Sequence, residues 1–334
     1  MRAVVDERAG IHVDIPEMSR IDFIEPGRVE RRNEMSEILY GIKFPVDSPF
    51  FEEFVDNCRK MLLLVNDATR ATPTDMVLDA ISETLANSDI RIMIATGSHR
   101  HPDQDELRSI LGRHYAKWQD RILFHHCKRA EDMIKLGETS FGTTVMFNKI
   151  LHEVDGVIAI NSVEPHYFAG FTGGRKSILP GIASYQTITE NHSLALSEKA
   201  LPLVLDGNPV HEDMTEAVKM LDLPIFAINA VLSAGNRLYR LLSGNIFTSF
   251  EKAAAISKEI YNVKTGKRYD IIISYIPSPL DIDLYQSQKG IDNVKQVLKD
   301  DGIIILVSKC RKGIGNDTFY RLLKKFSSPE EVLD

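Results

Sequence analysis

The chain has 334 residues, of which 43% are hydrophobic and 26% charged, with a formal net charge of −7; this is an ordinary soluble composition with room for two domains. No apolar run approaches the length of a membrane span, and the N-terminal MRAVVDERAGIHVDIP carries charges where a secretory signal needs an apolar stretch. The negative balance speaks against general nucleic-acid binding, and three scattered cysteines (Cys58, Cys127, Cys310) make neither a disulfide framework nor a thiolate zinc site, so a reducing cytoplasm is the expected setting.

Apolar, β-rich runs alternate with helical stretches along the chain, which predicts an α/β fold with a mainly parallel sheet. The first strand, Met61–Asn66, runs into Asp67-Ala68-Thr69-Arg70-Ala71-Thr72-Pro73. Thr72 is the expected cap of a helix over Thr74–Ala86, with Pro73 at its first position. Strand Arg91–Thr96 runs into Gly97-Ser98-His99-Arg100-His101-Pro102, ahead of a helix over Asp103–Leu111. Strand Ile122–His126 ends in two histidines with no glycine or arginine nearby, so His125 and His126 read as core or surface residues. Strand Gly156–Asn161 leads to Glu164-Pro165-His166. Helix Pro209–Leu221, strand Pro224–Leu232 and helix Ser249–Val263 follow. The polar stretch Asn262–Asp270 predicts a domain boundary, giving residues 1–264 and 265–334. In the second part, strand Asp270–Ile276, a helix over Ile291–Lys299 and strand Ile303–Ser308 are expected. Ser328-Pro329-Glu330-Glu331 opens a helix near the last residue, which suggests a chain shortened at its C-terminus.

Ligands of open α/β sheets bind outside the carboxyl ends of the strands, so polar clusters at several such ends can converge on one cleft. The densest cluster is EPHYFAGFTGGRKSILPGIAS, residues 164–184. Its glycines (Gly170, Gly173, Gly174) let backbone amides approach an anion, Lys176 adds a point charge, and His166 can carry a proton near neutral pH. The segment is not a Walker A loop, because Arg175 separates Gly174 from Lys176 and no Walker B acid is evident. Asp67 and Arg70 fall in a turn where arginine can grip a carboxylate or phosphate, a reading level with a structural one. His99 is a better acid/base candidate than His101, which lies against Pro102. His192 is either a helix-capping histidine or a ligand. Tyr285 precedes Gln286 and Lys289, which are three apart and share a face if a helix starts there; they form either a carboxylate clamp or an exposed polar face.

Taken in order, D-x-T-R-x-T-P, T-G-x-H-R, the histidine and lysine of H-x(9)-K within the glycine-rich segment, the following Asn191-His192, and Y-Q-x-x-K resemble the nickel-dependent lactate racemase family. The resemblance runs from about residue 10 to the end of the chain. It implies two α/β domains with mainly parallel sheets around an interdomain active site, the C-terminal domain being shortened here. It implies a nickel-pincer nucleotide, in which nickel is held by two sulfurs, a ring carbon and one histidine, His192 in this chain. Lys176 matches the lysine that can join the cofactor. Asp67, Arg70, Gly173 and Gly174 fall on the cofactor side, and His99 and His166 match the paired acid/base histidines. Gln286 and Lys289, with Tyr285 beside them, match the substrate-binding set. The implied activity is racemisation or epimerisation of a lactate-like 2-hydroxy acid. Dedicated maturation enzymes supply the cofactor, and neither nucleic acid nor membrane is involved. Two other readings of the same residues are a zinc- and phosphate-dependent hydrolase or transferase, and a non-catalytic nucleotide-binding protein.

Overall fold

The computed structural model describes residues 2–6, 10–16, 20–328 and 330–333. The chain divides into two compact units, one formed by Gly27–Asn262 and the other by Met1–Pro26 together with Val263–Asp334. The break expected from sequence at residues 264/265 falls two residues from the division at Asn262/Val263, and in this division Met1–Pro26 group with the C-terminal segment.

The larger unit is built on a six-stranded sheet in the order Arg237–Asn245, Ile225–Ser233, Gly156–Ser162, Lys60–Val65, Asp89–Ile94, Ile122–Phe124. Only the Arg237–Asn245 edge is antiparallel to its neighbour; the other pairings are parallel. A parallel sheet covered on both faces needs apolar residues pointing both ways. Met61, Leu63 and Val65 enter the core on one face, and Leu62 and Leu64 enter the core on the other, all fully buried. On the first face pack helices Glu34–Lys43, Phe51–Asn57, Thr74–Ile81 and Gln104–Leu111. On the second lie the hairpin Met133–Glu138/Thr144–Asn148 and helices Tyr185–Ser193 and Pro209–Lys219. In the other unit, Tyr269–Tyr275 and Leu298–Val307 pair in parallel, and Arg2–Asp6 pairs antiparallel with Ile11–Asp14. Among the described residues no helix is long and apolar enough to cross a membrane.

Two local expectations are corrected. Thr72 is not a helix cap: the helix starts at Thr74 behind Pro73, and the Thr72 hydroxyl donates to Asn66 Oδ1 at 2.7 Å and Ser162 Oγ at 3.0 Å. That ties two neighbouring strand ends together instead. The helix expected over Ile291–Lys299 is absent. One helical turn ends at Asp292, a 3₁₀ turn covers Lys295–Val297, and the strand already begins at Leu298, opposite Tyr269. Pairing with Tyr269 outweighs the weak helical pattern there, and Asp301 takes a left-handed φ of 63° within the strand. At the C-terminus Glu330–Leu333 is helical, whereas Pro329, the expected first helical residue, lies outside the described residues.

Candidate active site

The site residues of the larger unit stand where three adjacent parallel strands end. Lys60–Val65 delivers Asp67 and Arg70, Asp89–Ile94 delivers His99, and Gly156–Ser162 delivers His166. Asp67 is buried, and its Oδ1 accepts from the Thr69 N–H at 2.9 Å and the Thr69 hydroxyl at 2.6 Å. Its Oδ2 lies 2.7 Å from His99 Nδ1. Burial alone would raise the Asp67 pKa. The charge and hydrogen bond of His99, the charge of Arg70 and the Thr69 hydrogen bond outweigh it and hold the carboxyl well below its usual range. A carboxylate only accepts, so His99 carries a proton on Nδ1. Arg100 is drawn away to Glu106 in a forked ion pair, which anchors the turn to the helix behind it.

The glycine-rich segment is held by its own side chains. Arg175 is fully buried and donates to the carbonyls of Ala169 (2.8 Å), Phe171 (3.0 Å) and Gly173 (3.3 Å), with its guanidinium 4.2 Å from the Phe250 ring centre. Burial lowers its pKa to about 9, so it is a cation at neutral pH. The Gly174 N–H donates to Asn229 Oδ1 at 3.1 Å. A Cβ on Gly173 would lie 2.6 Å from Val163 Cγ2, one on Gly174 2.6 Å from Phe250 Cβ, and both residues have positive φ (86° and 50°). Their glycine character is thus accounted for by fit within the protein, and the Gly174 amide is already engaged. The turn carrying His99 is stitched to this loop by the Gly97 N–H donating to Gly181 O at 2.9 Å.

Phe168, which no sequence pattern singled out, is the residue around which the rest gather. Its ring centre lies 4.6 Å from that of His166 and 5.0 Å from that of His192, with Lys176 Nζ 5.8 Å away. His166 is buried and stacked on Tyr167, and its Nδ1 accepts from the Ala169 N–H at 3.3 Å, so a neutral ring carries its proton on Nε2. His192 sits in the last turn of Tyr185–Ser193, a helix capped by Ser184, and so is not at the helix start. Burial first, then the charges of Lys176 and His99, push its pKa down to about 3. The structure therefore brings His166, Lys176 and His192 together around Phe168, and pairs His99 with Asp67 at the neighbouring strand end, from which the charge of His99 still acts on His192.

The remaining sequence candidates divide between histidines held in packing and residues of the smaller unit. His101 Nε2–H donates to His125 O (2.9 Å), and the ring packs on Phe124 and His126. His125 is a core residue: its Nε2–H donates to Ala183 O at 2.9 Å, and it accepts from Asn148 Nδ2 at 3.2 Å. Tyr285, Gln286 and Lys289 belong to the smaller unit, where Lys289 Nζ donates to Gln286 Oε1 at 2.5 Å and Tyr285 packs edge-on against Phe319. Two short helices, Leu284–Ser287 and Lys289–Asp292, present them.

Among the described residues no group of three or more His, Cys, Asp or Glu is arranged to hold a metal ion. A zinc site built from protein ligands alone needs such a set. His192 meets a smaller requirement, since a neutral, oriented imidazole is the form that binds a metal whose other ligands come from a cofactor.

A family model described as the lactate racemase N-terminal domain matches residues 7–201, and one described as the lactate racemase C-terminal domain matches residues 264–334. A lactate racemase of Thermoanaerobacterium thermosaccharolyticum is 31% identical over 300 residues, spanning 88% of this chain and 70% of that protein. The lactate racemase of Lactiplantibacillus plantarum is 33% identical over 309 residues, spanning 90% of this chain and 72% of the relative. The structure of the Thermoanaerobacterium thermosaccharolyticum lactate racemase apoprotein superposes with a TM-score of 0.85 over 96% of this chain and 77% of that one. A crystal structure from Thermotoga maritima, 21% identical with a TM-score of 0.68, shares the fold. The chain belongs to the lactate racemase family of isomerases.

Proposed function

We propose that this protein racemises lactate or a similar 2-hydroxy acid with a nickel-pincer nucleotide as cofactor. The observation that carries the reading is the gathering of His166, Lys176 and His192 around Phe168, with the His99–Asp67 pair at a neighbouring strand end, in a chain of this family. His192 would hold the nickel through Nε2. Lys176 would hold the nucleotide, covalently or as a counter-charge, and Arg70 would add a second cation on that side. The chemistry such a group supplies is reversible acceptance of hydride from the substrate's α carbon.

The chain's own residues then have to move the hydroxyl proton in both directions. His99 offers an Nε2 lone pair, because the buried Asp67 keeps the ring proton on Nδ1. His166 offers the opposite state, an Nε2–H, because its Nδ1 accepts from a backbone amide. In these states His99 is set to take the hydroxyl proton and His166 to donate a hydrogen bond to the substrate oxygen; for the other enantiomer the His166 proton would have to move to Nδ1, breaking the 3.3 Å contact from the Ala169 N–H, so that its Nε2 can act as the base. Asp67 supports one of the two rings and so serves the cofactor side only indirectly. Gln286 and Lys289, with Tyr285 beside them, are the candidates for the substrate's carboxylate, an assignment that rests on the family resemblance.

The test is co-expression with cofactor-maturation enzymes, followed by metal analysis, intact mass and polarimetry on lactate and longer 2-hydroxy acids. Nickel with loss of optical rotation is the expected result. His192→Ala should drop nickel content to background. A His192→Ala protein that keeps its full nickel, or zinc with hydrolytic turnover in the parent protein, would remove the proposal.

A further inference from the structure

Behind His192 lies a buried polar network that the reaction as described does not use. Asp213, on helix Pro209–Lys219, has no exposed surface. Its Oδ1 accepts from the Thr139 hydroxyl at 2.5 Å, and its Oδ2 accepts from the Thr143 hydroxyl at 2.9 Å and from Asn191 Nδ2 at 2.7 Å. Asn191 is fully buried too, and the same Nδ2 donates to the Val210 carbonyl at 3.2 Å. A carbonyl cannot donate, so the orientation of this amide is fixed by chemistry: nitrogen toward Asp213 and Val210, oxygen away from them. The oxygen lies 3.1 Å from His192 Nδ1. An amide oxygen only accepts, so His192 must donate, and its ring proton sits on Nδ1. The Ile188 carbonyl, one turn back, is a second acceptor for the same ring. The lone pair is then on Nε2.

We propose that Asn191 and Asp213 are positioning residues for His192: Asp213 aims the Asn191 oxygen at the ring, and the oxygen keeps the imidazole in the Nδ1–H form with Nε2 open to a metal. Thr139 and Thr143, at the turn of the hairpin packed behind, hold the carboxylate in place. The role assigned to Nε2 rests on the nickel reading above, whereas the tautomer does not. Outer partners of this kind set the tautomer and orientation of a metal-ligating histidine.

The experiment reads the tautomer first, in the apoprotein labelled with ¹⁵N-histidine, by long-range nitrogen–proton correlation; His192→Ala identifies the resonances. The expected wild-type ring is Nδ1–H. Asn191→Leu should populate the Nε2–H form. In protein loaded by the maturation enzymes, the same variant should release nickel to a chelator roughly 10–100-fold faster. Asn191→Asp sets a second carboxylate against Asp213 and should show the same losses. The exchanged pair Asn191→Asp/Asp213→Asn restores one donor facing one acceptor, without the donation to the Val210 carbonyl, and should recover the tautomer and part of the nickel retention lost in Asn191→Asp. Should Asn191→Leu fail to fold, the comparison of Asn191→Asp with the exchanged pair decides. An Nε2–H ring in the wild-type apoprotein overturns the assignment. So does an Asn191 variant with wild-type tautomer and nickel release, or an exchanged pair no better than its parent. An Nδ1–H wild-type ring in a protein that never retains nickel would support the assignment and overturn the functional reading.

Discussion

At the residue scale, the decisive feature is that each imidazole of the site has a different partner on its Nδ1. His99 faces a carboxylate, His166 a backbone N–H, and His192 an amide oxygen. The roles proposed above, one ring taking a proton, one donating a hydrogen bond and one acting as a ligand, rest on these three partners. Asp67 is the most exposed to test, because its carboxylate is buried and spent on His99 and Thr69. Asp67→Asn keeps the shape but lets the amide donate toward His99, which favours the wrong ring tautomer. Turnover should fall by roughly 10²–10⁴ with nickel content unchanged, the range seen when a base loses its orienting carboxylate. Steady-state kinetics on loaded protein, with metal analysis on the same sample, checks this. Undiminished kcat would mean that the His99 tautomer is not set by Asp67.

At the element scale, what the site requires is a loop that cannot shift, and the segment 169–176 achieves this with an inward-turned arginine and two glycines. Gly174→Ala would push a methyl against Phe250 at a φ of 50°, which should destabilise the protein by about 1–3 kcal/mol. Urea unfolding measures it, and an unchanged midpoint would show that the loop has slack. This segment also marks where sequence reasoning reaches its limit. The parallel strands were legible because burial on both faces leaves unbroken apolar runs such as Met61–Val65. The edge strand Arg237–Asn245 was not, since two arginines and a half-exposed face blur the pattern, although Gly235-Asn236 at positive φ is a hairpin signal that could have found it. His99 and His166 stood out because they follow strands. Phe168 and Asp213 did not, and Asn191 was seen only as the neighbour of His192, because their meaning lies in partners elsewhere in the chain, 22 residues apart for Asn191 with Asp213 and 74 for Thr139 with Asp213. Arg175 was no more legible: its partners are the nearby carbonyls of Ala169, Phe171 and Gly173, and nothing in the local pattern says that a guanidinium beside glycines turns inward.

At the scale of the whole molecule, three histidines are held neutral by the fold, and together they set how it responds to acid. Burial is the first cause in each case. It lowers the pKa of His125 to about 4, and those of His192 and His211 to about 3, with neighbouring cations adding to the effect. Each folded-state pKa lies below the ordinary value of 6.5, so the unfolded chain binds more protons as pH falls through that value. Stability should therefore be fully present above about pH 6.5 and drain away toward pH 4, before ordinary carboxylates matter. Asp67 acts in the same sense but lower, because its pKa is depressed from 3.8 and its share is lost only as pH drops below that value. His211 is the position that isolates the effect. Its Nδ1 is buried without a hydrogen-bond partner, near Arg175 and the Phe250 ring, and it stands outside the reacting group. His211→Leu removes one of the three proton-linked groups together with an unpaired polar atom. Its urea midpoint should decline less steeply than the wild type's between pH 7 and 4.5. Parallel curves for the two proteins would show that His211 charges freely in the folded state, and that its surroundings are wetter than the packing around Arg175 implies.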